Sequence, residues 1–325
     1  MTTYKDSGVD IDTADATKKE IAGHIQTGDK RVLNKLGAFA SLFKADFPDI
    51  KNPVLVLKTE EPGSKQLLAA QYNRLPNIAY DLINHLINDI VVMGATPLAV
   101  LDTIICGKLE KKIVSDLVKN MSIACQNQGC SLVGGETSEQ PGVIPKGEYI
   151  LSAAAVGVVD QDKIIDGSKI QKGDIIIGVH SNGLHTNGYS LVRKLLDENI
   201  DLRQDNTFID AILKPHMCYY SLIKNLDLTL VNGMAHITGG GINDNLNRIL
   251  PNNLHYAIDY SKINIPYLFK TIQNAGVVPI KDMWRTFNMG IGLIIITSDS
   301  NSSLIFPKIW HQGYSAKIIG EIVRC

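Results

Sequence analysis

Leu132-Val133-Gly134-Gly135-Glu136-Thr137-Ser138-Glu139-Gln140-Pro141-Gly142 is the stretch around which the rest of the chain is read. An apolar run ends in two glycines, and a carboxylate and a hydroxyl follow side by side. The expectation is a strand that runs into a Gly134-Gly135 turn. Glycine lacks Cβ and accepts positive φ, so such a turn lets the backbone approach a bulky anion closely. Glu136 can then hold the hard cation that a polyphosphate carries, with Thr137 beside it. A strand followed by an ordinary polar loop accounts for the same residues, and a short motif alone does not choose between the two.

Upstream of this stretch, residues 54–59 form a short β-branched and leucine run, expected as a strand. Residues 78–93 show helical periodicity. Leu82, Ile83, Leu86, Ile87, Ile90 and Val91 make an apolar stripe, and Asp81, Asn84, His85, Asn88 and Asp89 make the opposite one. Gly94 and Pro97 end it. A strand over 98–105, a helix over 110–128 and a strand over 149–159 follow. The polar segment 161–172 carries the turn signals Asp166-Gly167 and Lys172-Gly173 and reads as a domain boundary. Beyond it, strand, glycine-rich loop and helix recur at 175–196 and 234–250, with further strands at 291–297 and 316–322. The fold class expected is α/β or α+β: two domains, residues 1–165 and 166–325, each a mixed sheet packed by helices on one side.

Composition narrows the function. The chain has 325 residues, of which 45% are hydrophobic, enough to bury two ordinary cores. Its 32 basic and 33 acidic residues nearly cancel, which argues against a nucleic-acid or membrane surface as the main partner. Five cysteines without a CxxC pair point away from a zinc cluster or disulfide framework and towards a reducing compartment. Residues 1–15 are polar and acidic, unlike a signal peptide, and no apolar run has the length of a membrane span. A soluble cytoplasmic protein is expected.

Several residues could carry chemistry. Asp81, His85 and Asn88 share a helix face with Asp89 beside them, and that face holds no Lys or Arg. A solvated face of this length usually mixes in basic residues. Asp89 is the best metal-ligand candidate, with His85 behind it or at the surface, and oxygen donors favour magnesium. Asp102, inside an apolar strand, needs a partner wherever it is buried. The segment 180–189 follows a strand and precedes a helix, so its backbone N–H groups can meet an anion. Its His185 can clamp a phosphate or move a proton, which a plain capping loop does not explain. Ala235-His236-Ile237-Thr238-Gly239-Gly240-Gly241 repeats this logic as a phosphate cradle, with His236 read more readily as a core histidine than as a ligand. In Arg285-Thr286-Phe287-Asn288-Met289-Gly290-Ile291-Gly292, Arg285 and Asn288 suit a phosphate or an amide, and the glycines suit a bulge.

Together these blocks resemble the aminoimidazole ribonucleotide synthetases, the phosphoribosylformylglycinamidine cyclo-ligases. The resemblance runs from Tyr4-Lys5-Asp6-Ser7-Gly8-Val9-Asp10-Ile11-Asp12 almost to the C-terminus. It is strongest at 133–142, 164–169, 183–194, 235–251 and 285–292. It implies ATP-dependent closure of the purine imidazole ring: ATP phosphorylates the formyl oxygen of formylglycinamidine ribonucleotide, the ribose-bearing nitrogen attacks, and phosphate leaves. It also implies Mg²⁺, a ribonucleotide substrate, and a homodimer whose N-terminal sheets join in a barrel. On this reading residues 1–165 bind Mg-ATP and dimerise, while residues 166–325 carry the phosphate and substrate loops.

Residue by residue, the resemblance makes Glu60, Asp89 and Glu136 the metal ligands, with Glu60 standing where the family usually has Asp. Gly63, Ser64, Lys65, Gly134, Gly135 and Thr137 fall on the nucleotide side. Asn187, Gly188, His236, Thr238, Gly239, Gly240, Arg285 and Asn288 fall on the substrate side. His185, Asp89 and Lys65 are the catalytic candidates. The chain departs from the family at Asn34-Lys35-Leu36-Gly37-Ala38-Phe39-Ala40, where a glycine-rich run is usual, and at Ala22, where a lysine is usual. Both departures lie on the nucleotide side. A kinase-like paralogue with another substrate, or a nucleotide-binding regulator without turnover, are the competing expectations.

Overall fold

The computed structural model describes residues 8, 10–25, 27–33 and 38–325. Residues 4–7 and 9, which carry part of the family resemblance, and residues 34–37, part of the departure at 34–40, lie outside the described residues. The chain forms two compact units: Met1–Ile90 with Thr96–Asp160, and Val91–Ala95 with Gln161–Cys325. The main division therefore falls where the polar segment 161–172 begins.

The first unit is built on a four-stranded sheet of β1 (Pro53–Glu60), β2 (Thr96–Cys106), β3 (Ser131–Glu139) and β4 (Tyr149–Asp160) in the order β1-β4-β2-β3. β4 runs antiparallel to both β1 and β2, and β2 and β3 are parallel. The helix Lys111–Asn127 supplies the crossover that a parallel pair needs. Burial alternates along β1 as side chains point to opposite faces. On one face Leu55, Leu57 and Leu101 remain exposed. The helix Leu75–Val91 buries Leu82, Ile83, Leu86, Ile87 and Ile90 completely, as its periodicity predicts.

One expectation is corrected here. Gly134 and Gly135 form no turn: β3 continues through them to Glu139, paired with Leu101 and Asp102 of β2. The reason is a close approach between strands. A Cβ on Gly135 would lie 2.2 Å from Asp102 Oδ1, so only glycine leaves room for that carboxylate.

The second unit carries a five-stranded antiparallel sheet of β5 (Ile175–His180), β6 (Gly233–His236), β7 (Leu254–Ile258), β8 (Ile291–Thr297) and β9 (Ala316–Arg324), ordered β6-β8-β5-β9-β7. β8 is buried over its whole length, which is why its sequence is an almost unbroken isoleucine run. Ile176, Ile294, Ile296, Ile319 and Ile322 form the centre of a core that Leu246 and Ile242 join from the helix Gly241–Asn247. Between β5 and β8 the register slips by one residue, Val179 opposite Leu293 but His180 opposite Ile291. Gly292 is the extra residue, so the bulge expected for the Gly290/Gly292 pair is present.

Candidate functional site

In the first unit, β1 and the Leu75–Val91 helix bring together residues that are far apart in sequence. Lys58 Nζ lies 3.1 Å from Glu60 Oε2 and 2.9 Å from Asp89 Oδ2. His85 Nε2 stands behind the same oxygens, at 3.5 Å from Glu60 and 3.7 Å from Asp89. Burial draws the Lys58 ammonium down, but hydrogen bonds and charge from Asp89 and Glu60 outweigh it and hold Lys58 above its ordinary value. The two acids thus converge on one cationic position, filled by an ammonium.

The rest of the polar stripe is not a solvated face. Asp81, Asn84, His85 and Asn88 are all buried. Asp81 accepts a 2.7 Å hydrogen bond from Lys65 Nζ, and both side chains are wholly buried. Burial pushes the Lys65 ammonium down, and Asp81 only partly restores it. Gly63 and Ser64 lead into the Lys65–Gln71 helix, Gly63 with φ of 60°. Asp102 is buried against Gly135, and that burial, with a smaller contribution from the Glu136 charge, pushes its carboxyl up to about 7. Glu60, Ala153, Asp102 and Gly135 lie in one row across the sheet. Glu136 is the next residue along, opposite Thr103, so it points to the other face, and it is exposed there. Thr137 sits opposite Ile104. Within one chain, then, Glu60 and Asp89 meet, while Glu136 lies on the opposite side of the sheet.

In the second unit, β8 brackets two loops. Ser181 N–H donates to the Gly290 carbonyl and Ile237 N–H to the Gly292 carbonyl, each at 2.9 Å. The loops after β5 and β6 are therefore hung from the same strand. They also approach one another, since a Cβ on Gly239 would come within 3.1 Å of Asn187 Oδ1. Asn288 spends its amide on this scaffold: it donates to the Gly183 carbonyl at 2.9 Å and accepts from Ser181 Oγ at 3.0 Å and Gly290 N–H at 2.8 Å. Gly188, with φ of 80°, opens the helix Tyr189–Glu198, and Gly240, with φ of 90°, opens Gly241–Asn247. Asn245 Nδ2 reaches back to the carbonyls of Gly239 and Gly241, at 3.2 and 2.8 Å, while its Oδ1 accepts from Thr238 Oγ1 at 3.3 Å. Arg285 is exposed and borders a cavity of about 480 Å³ with Gly240, Asp244, Tyr260 and Trp284.

His185 is buried and holds a left-handed backbone at φ of 60°, unusual for a residue with a side chain. Its carbonyl accepts from the Tyr189 hydroxyl at 3.3 Å. Gly292 gives it room: a Cβ there would stand 2.6 Å from His185 Cε1 and closer still to the Tyr219 hydroxyl. The His185 ring stacks on His216 at 3.9 Å, and His216 Nε2 lies 2.9 Å from His236 Nε2. His185 and His236, both singled out in the sequence, are thus joined by a third histidine.

This double-sheet frame matches a known one. Residues 47–159 match the sequence profile described as AIR synthase related protein, N-terminal domain, and residues 171–325 match its C-terminal domain. The chain belongs to the AIR synthase related family. It is 42% identical to the phosphoribosylformylglycinamidine cyclo-ligase of Methylobacillus flagellatus, over 98% of this chain and 94% of that one. It is 41% identical to the enzyme of the same name from Pseudothermotoga lettingae, over 99% and 97%. Among solved structures, the fold is shared with the hydrogenase maturation protein HypE of E. coli, at a TM-score of 0.71, 17% identity and coverage of 96% and 91%. It is shared also with the thiamine-monophosphate kinase of Stenotrophomonas maltophilia, at 0.65, 14%, 96% and 93%.

Three further residues, Lys58, Asn245 and His216, become prominent only in the structure. Lys58 is an ordinary strand lysine until β1 meets the Leu75–Val91 helix. Asn245 could have been found, because it lies one helical turn past the glycine cradle. His216 follows Pro215 in a segment without periodicity or glycines, and nothing local marks it.

Proposed function

We propose that this chain is an ATP-dependent cyclo-ligase that converts formylglycinamidine ribonucleotide to aminoimidazole ribonucleotide in purine biosynthesis. The observation that carries the reading is its similarity, across nearly the whole length of both chains, to cyclo-ligases of several bacteria. An amide oxygen leaves poorly until it is phosphorylated, so ring closure needs ATP. Such a transfer asks a protein mainly for positioning and charge neutralisation. The chain holds the parts for both in its paired acids and its backbone cradle of 238–241.

Glu60 and Asp89 would hold Mg²⁺, which when bound neutralises phosphate charge. Their oxygens already converge on the Lys58 ammonium, which stands in for a cation, and the donors are the hard oxygens that magnesium prefers. Gly63 and Ser64 suit the nucleotide side. Lys65, wholly buried with Asp81, does not present its ammonium to a nucleotide and instead ties its helix to the Leu75–Val91 helix. Asn187, Gly188, Thr238, Gly239 and Gly240 present backbone and side-chain dipoles to a substrate phosphate, and Asn288 holds these loops in place. Arg285 offers an exposed guanidinium at the rim of the adjoining cavity. His185, buried beside His216, is our candidate to handle a proton or a phosphate oxygen, on the strength of its side chain and of the loop that carries it.

A homodimer fits the first unit. Leu55, Leu57 and Leu101 expose an apolar sheet face, which a second copy of the same sheet would cover. Glu136 lies on that face with Gly134 and Thr103, so dimerisation would bring it to the junction between copies. No helix among the described residues is long and apolar enough to cross a membrane. The cysteines are free thiols, which suits the cytoplasm.

The test is direct. Purified protein with formylglycinamidine ribonucleotide, Mg²⁺ and ATP should yield the aromatic amine; omission of ATP should abolish it, and Asp89→Asn should lower it sharply while leaving a measurable rate. Nucleotide binding without amine formation would overturn the assignment.

A further inference from the structure

His216 sits between the two histidines that the sequence marks. All three rings are buried: His185 and His216 are 1% exposed and His236 is 5% exposed. They come from separate segments, the loop after β5, the connection that follows the helix Asn206–Ile212, and the end of β6. His216 faces His185 at 3.9 Å with the planes 19° apart, while His185 and His236 are 6.3 Å apart. Two imidazole Nε2 atoms at 2.9 Å can share only one proton, so His216 and His236 take complementary roles, one donor and one acceptor. The tautomer of His236 is therefore tied to that of His216.

His185 is over-determined by its surroundings. Its left-handed backbone, the Tyr189 hydroxyl on its carbonyl, the bulge glycine at its edge and the His216 ring on its face all hold one orientation. We propose that His216 is a positioning residue for the cyclisation, holding the plane of His185 by stacking and the tautomer of His236 by hydrogen bonding. This rests on the role given to His185 above. One nitrogen from each of the three rings lies within 4.8 Å of the other two, close enough to raise coordination of an ion as an alternative. The near-parallel stack speaks against it, because in-plane lone pairs on stacked rings run side by side and do not converge on one point.

The experiment compares His216→Phe, which keeps a ring face without nitrogen, and His216→Gln, which keeps a polar group without the ring. Imidazole ¹⁵N spectra of the whole protein report the tautomers of His185 and His236, and steady-state kinetics report kcat and KM. In the parent protein His216 and His236 should show opposite roles at Nε2. In His216→Phe, which keeps a ring against His185, the His236 signals should change while kcat falls by less than about 10-fold. His216→Gln should keep the His236 signals near those of the parent but, without the stack on His185, lower kcat roughly 10- to 100-fold, with KM for ATP within about two-fold. Both variants should melt within a few degrees of the parent, as roughly expected when no large group is lost from the core. Unchanged His236 spectra in His216→Phe or an unchanged kcat in His216→Gln would overturn the proposal, and so would a kcat loss that tracks melting in both variants. Visible absorption from added Co²⁺ that requires His216 would also overturn it, in favour of a metal site. A parent protein that makes no amine would instead defeat the cyclo-ligase reading, while the spectra would still decide whether His216 sets the tautomer of His236.

Discussion

Lys65 and Asp81 meet at 2.7 Å with both side chains wholly shielded from solvent. Removing one partner strands a buried charge, so Lys65→Met should cost about 3–5 kcal/mol of stability. Replacing both, as Lys65→Met with Asp81→Leu, should recover much of that loss. Urea unfolding of the two variants measures the difference. A single variant as stable as the parent would show that the pair is not a structural charge couple.

Asp89→Asn should reduce use of Mg-ATP far more than binding of the ribonucleotide. Separate KM values for ATP and ribonucleotide, taken across a Mg²⁺ titration, would show it. Equal loss for both ligands would contradict the placement of Glu60 and Asp89 on the metal side.

The Asp102 carboxyl, raised from 3.8 to about 7 by burial, makes a statement about stability against pH. Below pH 4 both folded and unfolded chains hold the proton. Between there and pH 7 the folded state keeps a proton that the unfolded state has released. Stability should therefore fall as pH rises through this window, by up to roughly 4 kcal/mol, and level off above it. Denaturant titrations in a chelator-containing buffer should show this slope, and Asp102→Asn should flatten it.

Gly135→Ala should destabilise the protein by about 1–3 kcal/mol, because the new methyl overlaps Asp102. Asp102→Ala removes the overlap with the carboxylate but not the one with the Asp102 carbonyl, 2.6 Å from the new methyl, so the cost should shrink in part, and a double-mutant cycle should show coupling of about 0.5–3 kcal/mol. Additive losses would mean that the Asp102 carbonyl alone, and not its carboxylate, requires the glycine.

Leu57→Lys, on the exposed face of β1, should shift sedimentation from twice the chain mass towards one chain mass. A monomeric parent protein would remove the basis for a second copy on that face.

Much of this was legible in the sequence, and the limits have physical reasons. The Leu75–Val91 helix and the isoleucine strand β8 follow from periodicity and run length, which are local. The polar stripe stands out in the sequence for lacking basic residues, but its burial depends on neighbours in tertiary space. Gly134 and Gly135 misled because two glycines mark a turn and a close strand approach equally well, and Asp102 decides between them from another strand. The glycine cradle at 239–241 was readable because loop and helix adjoin in sequence. The histidine cluster was not, because only the order β6-β8-β5 makes neighbours of His185 and His236, and His216 arrives from a connection that has no pattern of its own.

Gly292 does two jobs at once: it is the extra residue in the pairing of β5 with β8, and it is the gap into which His185 and Tyr219 fit. A slip of one residue in that pairing would present Leu293 or Ile291 to the histidine and leave it nowhere to go. The histidine cluster of the second unit therefore depends on a correctly aligned sheet. On the function proposed for His185, a molecule folded in the wrong register would be inactive from the outset, so the strand that shapes the cluster would also proofread it.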